Sequence, residues 1–175
     1  MTPPITGIDF ERLSLRDALD LAILIEEEAR DRYVEFAEQL AGHGTPEVAD
    51  FFARMSRIEE RHRTELLERR RTLFGTTPSA VERRNIFDVE APEYEAARAF
   101  MGIQQALETV LASEVKAYLF FSEALPRVKD PESKALFEEL RDEEVHHQAL
   151  VKAELARCPK KTDDSEAYAD DPVAQ

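Results

Sequence analysis

The sequence predicts an all-α protein: one four-helix bundle made of two helical hairpins joined by a single long crossover. Three observations carry that expectation. Four long stretches of helix formers run almost free of breakers, apolar residues recur in each at helical spacing, and the second pair of stretches repeats the first. Composition agrees, because 5 Gly and 9 Pro in 175 residues are too few for the turns of a sandwich or barrel.

The first helix is expected over residues 14–41. Ser14 is placed to cap it, with Asp17 three positions on in a weak capping-box pattern. Gly42-His43-Gly44-Thr45-Pro46 ends that helix and starts the next, with Thr45 as cap and Pro46 at the first helical position. The second helix runs to about Phe74, where Gly75-Thr76-Thr77-Pro78 stops it. Residues 79–92 form a polar connection holding Ile86 and Phe87, two apolar residues able to pack on a helix. A third helix follows Pro92 and ends near Leu125-Pro126. Asp130-Pro131 repeats the cap-and-proline arrangement for a fourth, which fades before Pro159. Thr162–Gln175 holds five acids and no base, the composition of a disordered tail. The expected organisation is therefore a bundle over residues 1–158 and an acidic tail over 159–175.

The hairpins repeat in register. Ala18, Ala22, Glu26, Ala29 and Tyr33 match Ala106, Val110, Glu114, Ala117 and Phe121 at an offset of 88. Met55, Glu59, His62 and Leu66 match Leu140, Glu144, His147 and Val151 at an offset of 85. The difference of three falls in the hairpin turn, where length changes cost least. A linker of roughly 14 residues spans about 45 Å when extended at ~3.3 Å each. That is about the length of a 30-residue helix at ~1.5 Å each, so the crossover closes geometrically.

Charge and cysteine content exclude several classes. With 23 basic and 37 acidic side chains the formal charge is 23 − 37 = −14, opposite in sign to a phosphate-binding surface. A lone cysteine, Cys158, allows no disulfide framework and no Cys-based zinc or iron–sulfur site, and suits a reducing compartment. Met1–Leu13 lacks the basic and apolar regions of a signal peptide. The most apolar run, Leu21–Ile25, is far shorter than the ~20 residues of a membrane span. A soluble, cytoplasmic protein without nucleic-acid or membrane partners is expected.

The apolar stripes carry acids at their centres. They read Ala22, Glu26, Ala29, Tyr33, Phe36, Leu40 in the first helix and Val48, Phe52, Met55, Glu59, His62, Leu66 in the second. The third gives Leu107, Val110, Glu114, Ala117, Phe121, Leu125, and the fourth Phe137, Leu140, Glu144, His147, Val151. Four carboxylates buried together would each lose several kcal/mol of hydration and repel one another. No Lys or Arg lies on these stripes, so the counter-charge must come from outside the chain. Four carboxylates and two imidazoles suit two divalent transition metals with mixed oxygen and nitrogen ligation. One Glu from each of two helices plus Glu-x-x-His from each of the other two is the ligand pattern of di-iron carboxylate bundles. In the fourth helix Glu143 and His146 offer a competing register. The repeat favours Glu144 and His147, leaving Glu143 beside the site, where it can hold a histidine ring.

Over about residues 14–156 the sequence resembles the ferritin-like superfamily, rubrerythrin-type and bacterioferritin-type proteins in particular. The segments that carry the resemblance are Glu26-Glu-Glu-Ala-Arg-Asp-Arg-Tyr33, Glu59-Glu-Arg-His62, Glu114-Val-Lys-Ala-Tyr-Leu-Phe-Phe121 and Asp142-Glu-Glu-Val-His-His147. The resemblance implies that Glu26, Glu59, His62, Glu114, Glu144 and His147 hold two Fe ions, or Mn. Glu59 and Glu144 would bridge them, Glu26 and Glu114 would be terminal, and the Tyr33 hydroxyl would bond a ligand carboxylate across the core.

Departures from the family pattern shape the functional expectation. The four-cysteine rubredoxin-like domain of rubrerythrins proper is absent from this sequence, so a peroxidase of this kind would need a separate electron donor. Ala117 stands where rubrerythrins carry an extra carboxylate, which makes a six-ligand site closer to bacterioferritin. Glu60 replaces the methionine that binds haem in bacterioferritins, so no haem is expected, and Phe121 replaces a tyrosine of some relatives. The resemblance implies a di-iron oxidoreductase that oxidises Fe(II) with O2 or H2O2, as a ferroxidase or peroxide reductase, in a homo-oligomer. The alternatives are a subunit of an iron-storage shell and a di-iron oxygenase acting on an organic substrate. Lys116, Arg61 and the run Arg69-Arg70-Arg71 are expected on solvated faces.

Overall fold

The computed structural model describes residues 8–42, 46–82, 89 and 101–158. Four helices appear in the order α1 (Leu15–Ala41), α2 (Pro46–Phe74), α3 (Ile103–Ala124) and α4 (Pro131–Arg157), and there is no strand among the described residues. The Thr45 cap, the Ile86–Phe87 pair and the tail from residue 159 lie outside the described residues, and α3 starts at Ile103, after an extended Gly102, rather than running unbroken from Pro92.

Local chemistry sets the helix ends. Ser14 Oγ accepts the Asp17 backbone N–H at 3.2 Å and donates to Asp17 Oδ2 at 2.7 Å, closing a reciprocal cap on α1. Asp130 caps α4 as an acceptor only, taking the Ser133 N–H at 2.8 Å and the Ser133 hydroxyl at 2.6 Å, with Pro131 in the first turn. At the end of α2, Gly75 turns the chain at φ +60°, a left-handed conformation that a Cβ would strain.

Every residue of the four apolar stripes is buried. They form two apolar clusters with the acidic layer between them. One contains Leu19, Leu66, Phe121 and Phe137, and the other contains Leu40, Val48, Leu107 and Val151. This partition fixes the topology. Helix α2 starts in the second cluster and ends in the first, while α3 starts in the second and also ends in the first. The connection must therefore run back along the bundle, and Val89 within it is buried in the first cluster. Phe10 closes that cluster from the N-terminal side, its ring set edge-on to Phe120 and Phe137 at 6.2 and 6.4 Å.

One expectation about the surface is overturned. Arg70 is 8% exposed rather than solvated. Four residues after Leu66, it stays on the inward face of α2, and a long side chain there must find an acceptor. Its Nε meets Asp20 Oδ1 of α1 at 2.7 Å, and its Nη1 donates to the Gly75 carbonyl at 3.0 Å. Nη2 donates to the Thr77 carbonyl, so one guanidinium ties the two helices to the turn that ends α2. Its neighbour Arg69 lies at the surface and bonds Glu139 of α4 at 2.9 Å.

Candidate metal centre

The middle turns of all four helices deliver acids to one buried layer. Glu59 and Glu114 are fully buried, and Glu26 and Glu144 nearly so. In α4 the inward pair is Glu144 and His147, His146 is exposed, and Glu143 is half-buried. Helix geometry explains the division: Leu140, Glu144, His147 and Val151 recur at four and three residues and keep one face.

Two ligand groups emerge, and they share a member. Oxygen and nitrogen atoms of Glu26, Glu59 and His62 lie within 4.8 Å of one another, and so do those of Glu59, Glu114 and His147. His62 Nδ1 is 3.7 Å from Glu26 Oε2 and 3.8 Å from Glu59 Oε2. His147 Nδ1 lies 3.1 Å from Glu114 Oε2 and 3.9 Å from Glu144 Oε2. Thus five of the six residues expected as ligands gather in the two groups. Glu144 stands beside the second group, in neither of them. Tyr33 Oη of α1 reaches Glu114 Oε1 of α3 at 3.5 Å.

The donor set fits metal. Fully ionised, the four carboxylates carry a charge of −4, and two imidazolium rings could return at most +2. Glu26 Oε2 is buried and accepts no hydrogen bond. Such an atom is costly unless a cation satisfies it. Hard oxygen and borderline nitrogen donors on two overlapping groups suit two divalent first-row ions, with Glu59 the residue available to both.

Electrostatics around the site follow from the same crowding. Burial alone would lower the His62 pKa, but the Glu26 carboxylate beside it and the charge of Glu143 hold it above the usual imidazole value. Burial pushes the Glu143 carboxyl up, with Glu26 and Glu139 adding to the effect and the two histidines opposing it. Glu60, facing away from the site, is lowered to about 2 because Arg63 and Arg30 both donate to it. That pairing, at 2.7 Å to Arg30 and 2.8 Å to Arg63, occupies the position next to Glu59.

Gln148 escaped the sequence reading. Its Nε2 donates to the backbone carbonyl of Glu114 at 3.3 Å and steadies α3 at the ligand itself. The signal was available, since Gln148 lies one turn after Glu144.

Together the bundle and its buried acid–histidine layer define a ferritin-like four-helix protein. The chain belongs to the rubrerythrin family, which it matches over residues 17–155. Among solved structures it is similar to an uncharacterised conserved protein from Magnetospirillum magnetotacticum, 25% identical, with a TM-score of 0.66 over 85% of this chain and 97% of the other. A hypothetical protein from Pyrococcus furiosus, 22% identical, shares the fold with a TM-score of 0.54 over 86% of this chain and 95% of its own. No curated protein matches the chain. Among the described residues, no helix is long and apolar enough to cross a membrane.

Proposed function

We propose that this chain is a di-iron oxidoreductase of the rubrerythrin type, oxidising Fe(II) with O2 or H2O2. The observation that carries the reading is Glu59, whose carboxylate belongs to both ligand groups. A shared carboxylate is what two ions held side by side require. Glu26 and His62 would complete one position, and Glu114 and His147 the other. Glu144, 3.9 Å from His147 Nδ1, would add a carboxylate at the second position.

Two bound iron ions would supply electrons to the oxidant, one from each Fe(II). The chain's own residues set the conditions for that chemistry. Carboxylates stabilise the higher charge of Fe(III) better than neutral donors do, so four of them favour the oxidised product. Tyr33 holds Glu114 by its Oε1 and so limits the orientations of that ligand. Phe121 and Val110, buried on the same stripe of α3 as Glu114, give that carboxylate apolar neighbours. Turnover as a peroxide reductase would draw electrons from a separate donor molecule, and a single cysteine, Cys158, would suit a reducing compartment such as the cytoplasm.

The test is anaerobic loading with Fe(II) followed by stopped-flow mixing with O2 and, separately, H2O2. The expected result is two Fe(II) per chain and a ferric absorbance band that grows with one of the oxidants. Failure of both oxidants to produce the band overturns the oxidoreductase reading. Light scattering of the same protein separates an enzyme-sized oligomer from a storage shell of many subunits.

A further inference from the structure

The two ligand groups look alike in sequence, yet they differ in how firmly the fold holds them. Glu114 is fixed at three points. Its Oε1 meets Tyr33 Oη at 3.5 Å, its Oε2 meets His147 Nδ1 at 3.1 Å, and its own carbonyl accepts from Gln148 at 3.3 Å. Glu26, its partner in the repeat, is buried with an Oε2 that accepts no hydrogen bond, and the nearest imidazole nitrogen is 3.7 Å from it. The repeat explains the asymmetry: Tyr33 of α1 reaches across to Glu114, but the equivalent residue on α3 is Phe121, which has no hydroxyl to return to Glu26.

Access differs in the same sense. An opening of about 80 Å³ between α2 and α4 reaches His62, and its charged lining is three acids, Glu65, Glu139 and Glu143, against one base, Arg69. The Arg69–Glu139 bond, 2.9 Å long, spans α2 and α4 at this opening. Acids at a narrow mouth concentrate cations there. His147 does not line it.

We propose that the two half-sites are inequivalent: the Glu114–His147 half holds one divalent cation firmly, and the Glu26–His62 half exchanges the other through the opening between α2 and α4. The inference rests on the di-metal reading above and adds to it an order of loading. A ligand set already oriented by its neighbours gives up less freedom when the ion arrives. Removing such neighbours costs metal sites about 10- to 100-fold in affinity, and Glu26 Oε2 has no hydrogen bond of this kind. Glu143, half-buried at the mouth, is the residue an arriving cation meets before Glu26.

Co(II) is the probe, because its visible absorbance reports its coordination without oxidation. The full chain, freed of metal, is loaded with two Co(II) and mixed with excess EDTA in a stopped-flow instrument. We expect two release phases of equal amplitude whose rates differ at least about tenfold. Glu26→Gln should bind one Co(II) and lose the fast phase alone. Tyr33→Phe should accelerate the slow phase alone, and Glu143→Gln should slow loading and fast release while leaving the slow phase unchanged. Circular dichroism and melting of each variant separate these effects from misfolding. Two Co(II) that leave in a single phase overturn the inequivalence while the di-metal reading stands. Loss of the slow phase in Glu26→Gln reverses the assignment, and unchanged rates in Glu143→Gln remove the opening from it. Fewer than two Co(II) in the wild type overturns the di-metal reading, and this inference with it.

Discussion

The imidazole rings of His62 and His147 lie face to face, their centroids 4.9 Å apart and their planes within 1° of parallel. They come from α2 and α4, and each points Nδ1 at a glutamate from another helix. Two imidazolium ions would repel one another in that stack, so the arrangement favours at least one neutral ring, the form in which histidine binds metal.

The pairing predicts a sharp contrast between neighbours in α4. His147→Ala should reduce bound metal from two ions per chain to one or none. His146→Ala, at an exposed position, should leave the count at two. Metal analysis by mass spectrometry decides, and equal losses in the two variants would show the register of α4 to be wrong.

Glu59→Ala should cost both ions, because the carboxylate belongs to both groups. Metal stabilises the native state by mass action, about 2.7 kcal/mol at a free concentration 100 times Kd. Mn(II) should therefore raise the melting temperature of the wild type by several degrees and that of Glu59→Ala hardly at all. A full shift in the variant would remove Glu59 from the shared position.

The Asp20–Arg70 pair predicts a stability cycle independent of metal. Asp20→Ala should destabilise the metal-free protein by about 3 kcal/mol, since it leaves a buried guanidinium without its carboxylate. Replacing both, as Asp20→Leu with Arg70→Met, should recover much of that loss. Urea unfolding of the wild type, Asp20→Leu, Arg70→Met and the double variant measures the coupling. Additive losses would mean that the pair does not act as a unit.

Glu60 sets an acid-side dependence. Its carboxyl titrates near 4.5 ordinarily and is lowered to about 2 here, chiefly by its hydrogen bonds to Arg63 and Arg30. Between those values the folded protein holds fewer protons than the unfolded chain. The contribution of Glu60 is therefore complete above 4.5 and is lost as pH falls toward 2. Glu60→Gln should be less stable than the wild type at pH 7, and the two should converge by pH 2. A constant difference across that range would show that the arginine contacts do not persist in solution. Partial exposure of Glu60 keeps the effect modest.

Most of the bundle was legible in the sequence because its determinants are local. Ser14 and Asp130 cap helices through atoms three residues away, and Pro46 and Pro131 constrain the first turns of their own helices. The inward face of each helix follows from spacing, and the repeat between the halves selects Glu144 and His147 over Glu143 and His146. The periodicity also put four acids and two histidines on apolar stripes, which is a statement about charge that needs no coordinates.

Which of those groups meet depends on how the helices pack. Arg70 looked like the middle of a solvated run, and its burial depends on Asp20, fifty residues away on another helix. Glu59 stands in both ligand groups while Glu144, its counterpart in the repeat, stands beside one. Likewise Tyr33 and Gln148 both converge on Glu114, leaving Glu26 the less restrained carboxylate. The physical reason is common to all three cases. A repeat fixes the face of each helix to within a residue, but hydrogen bonds change over tenths of an ångström. Those distances depend on how far each helix slides and turns against its neighbours, which packing across the whole bundle sets.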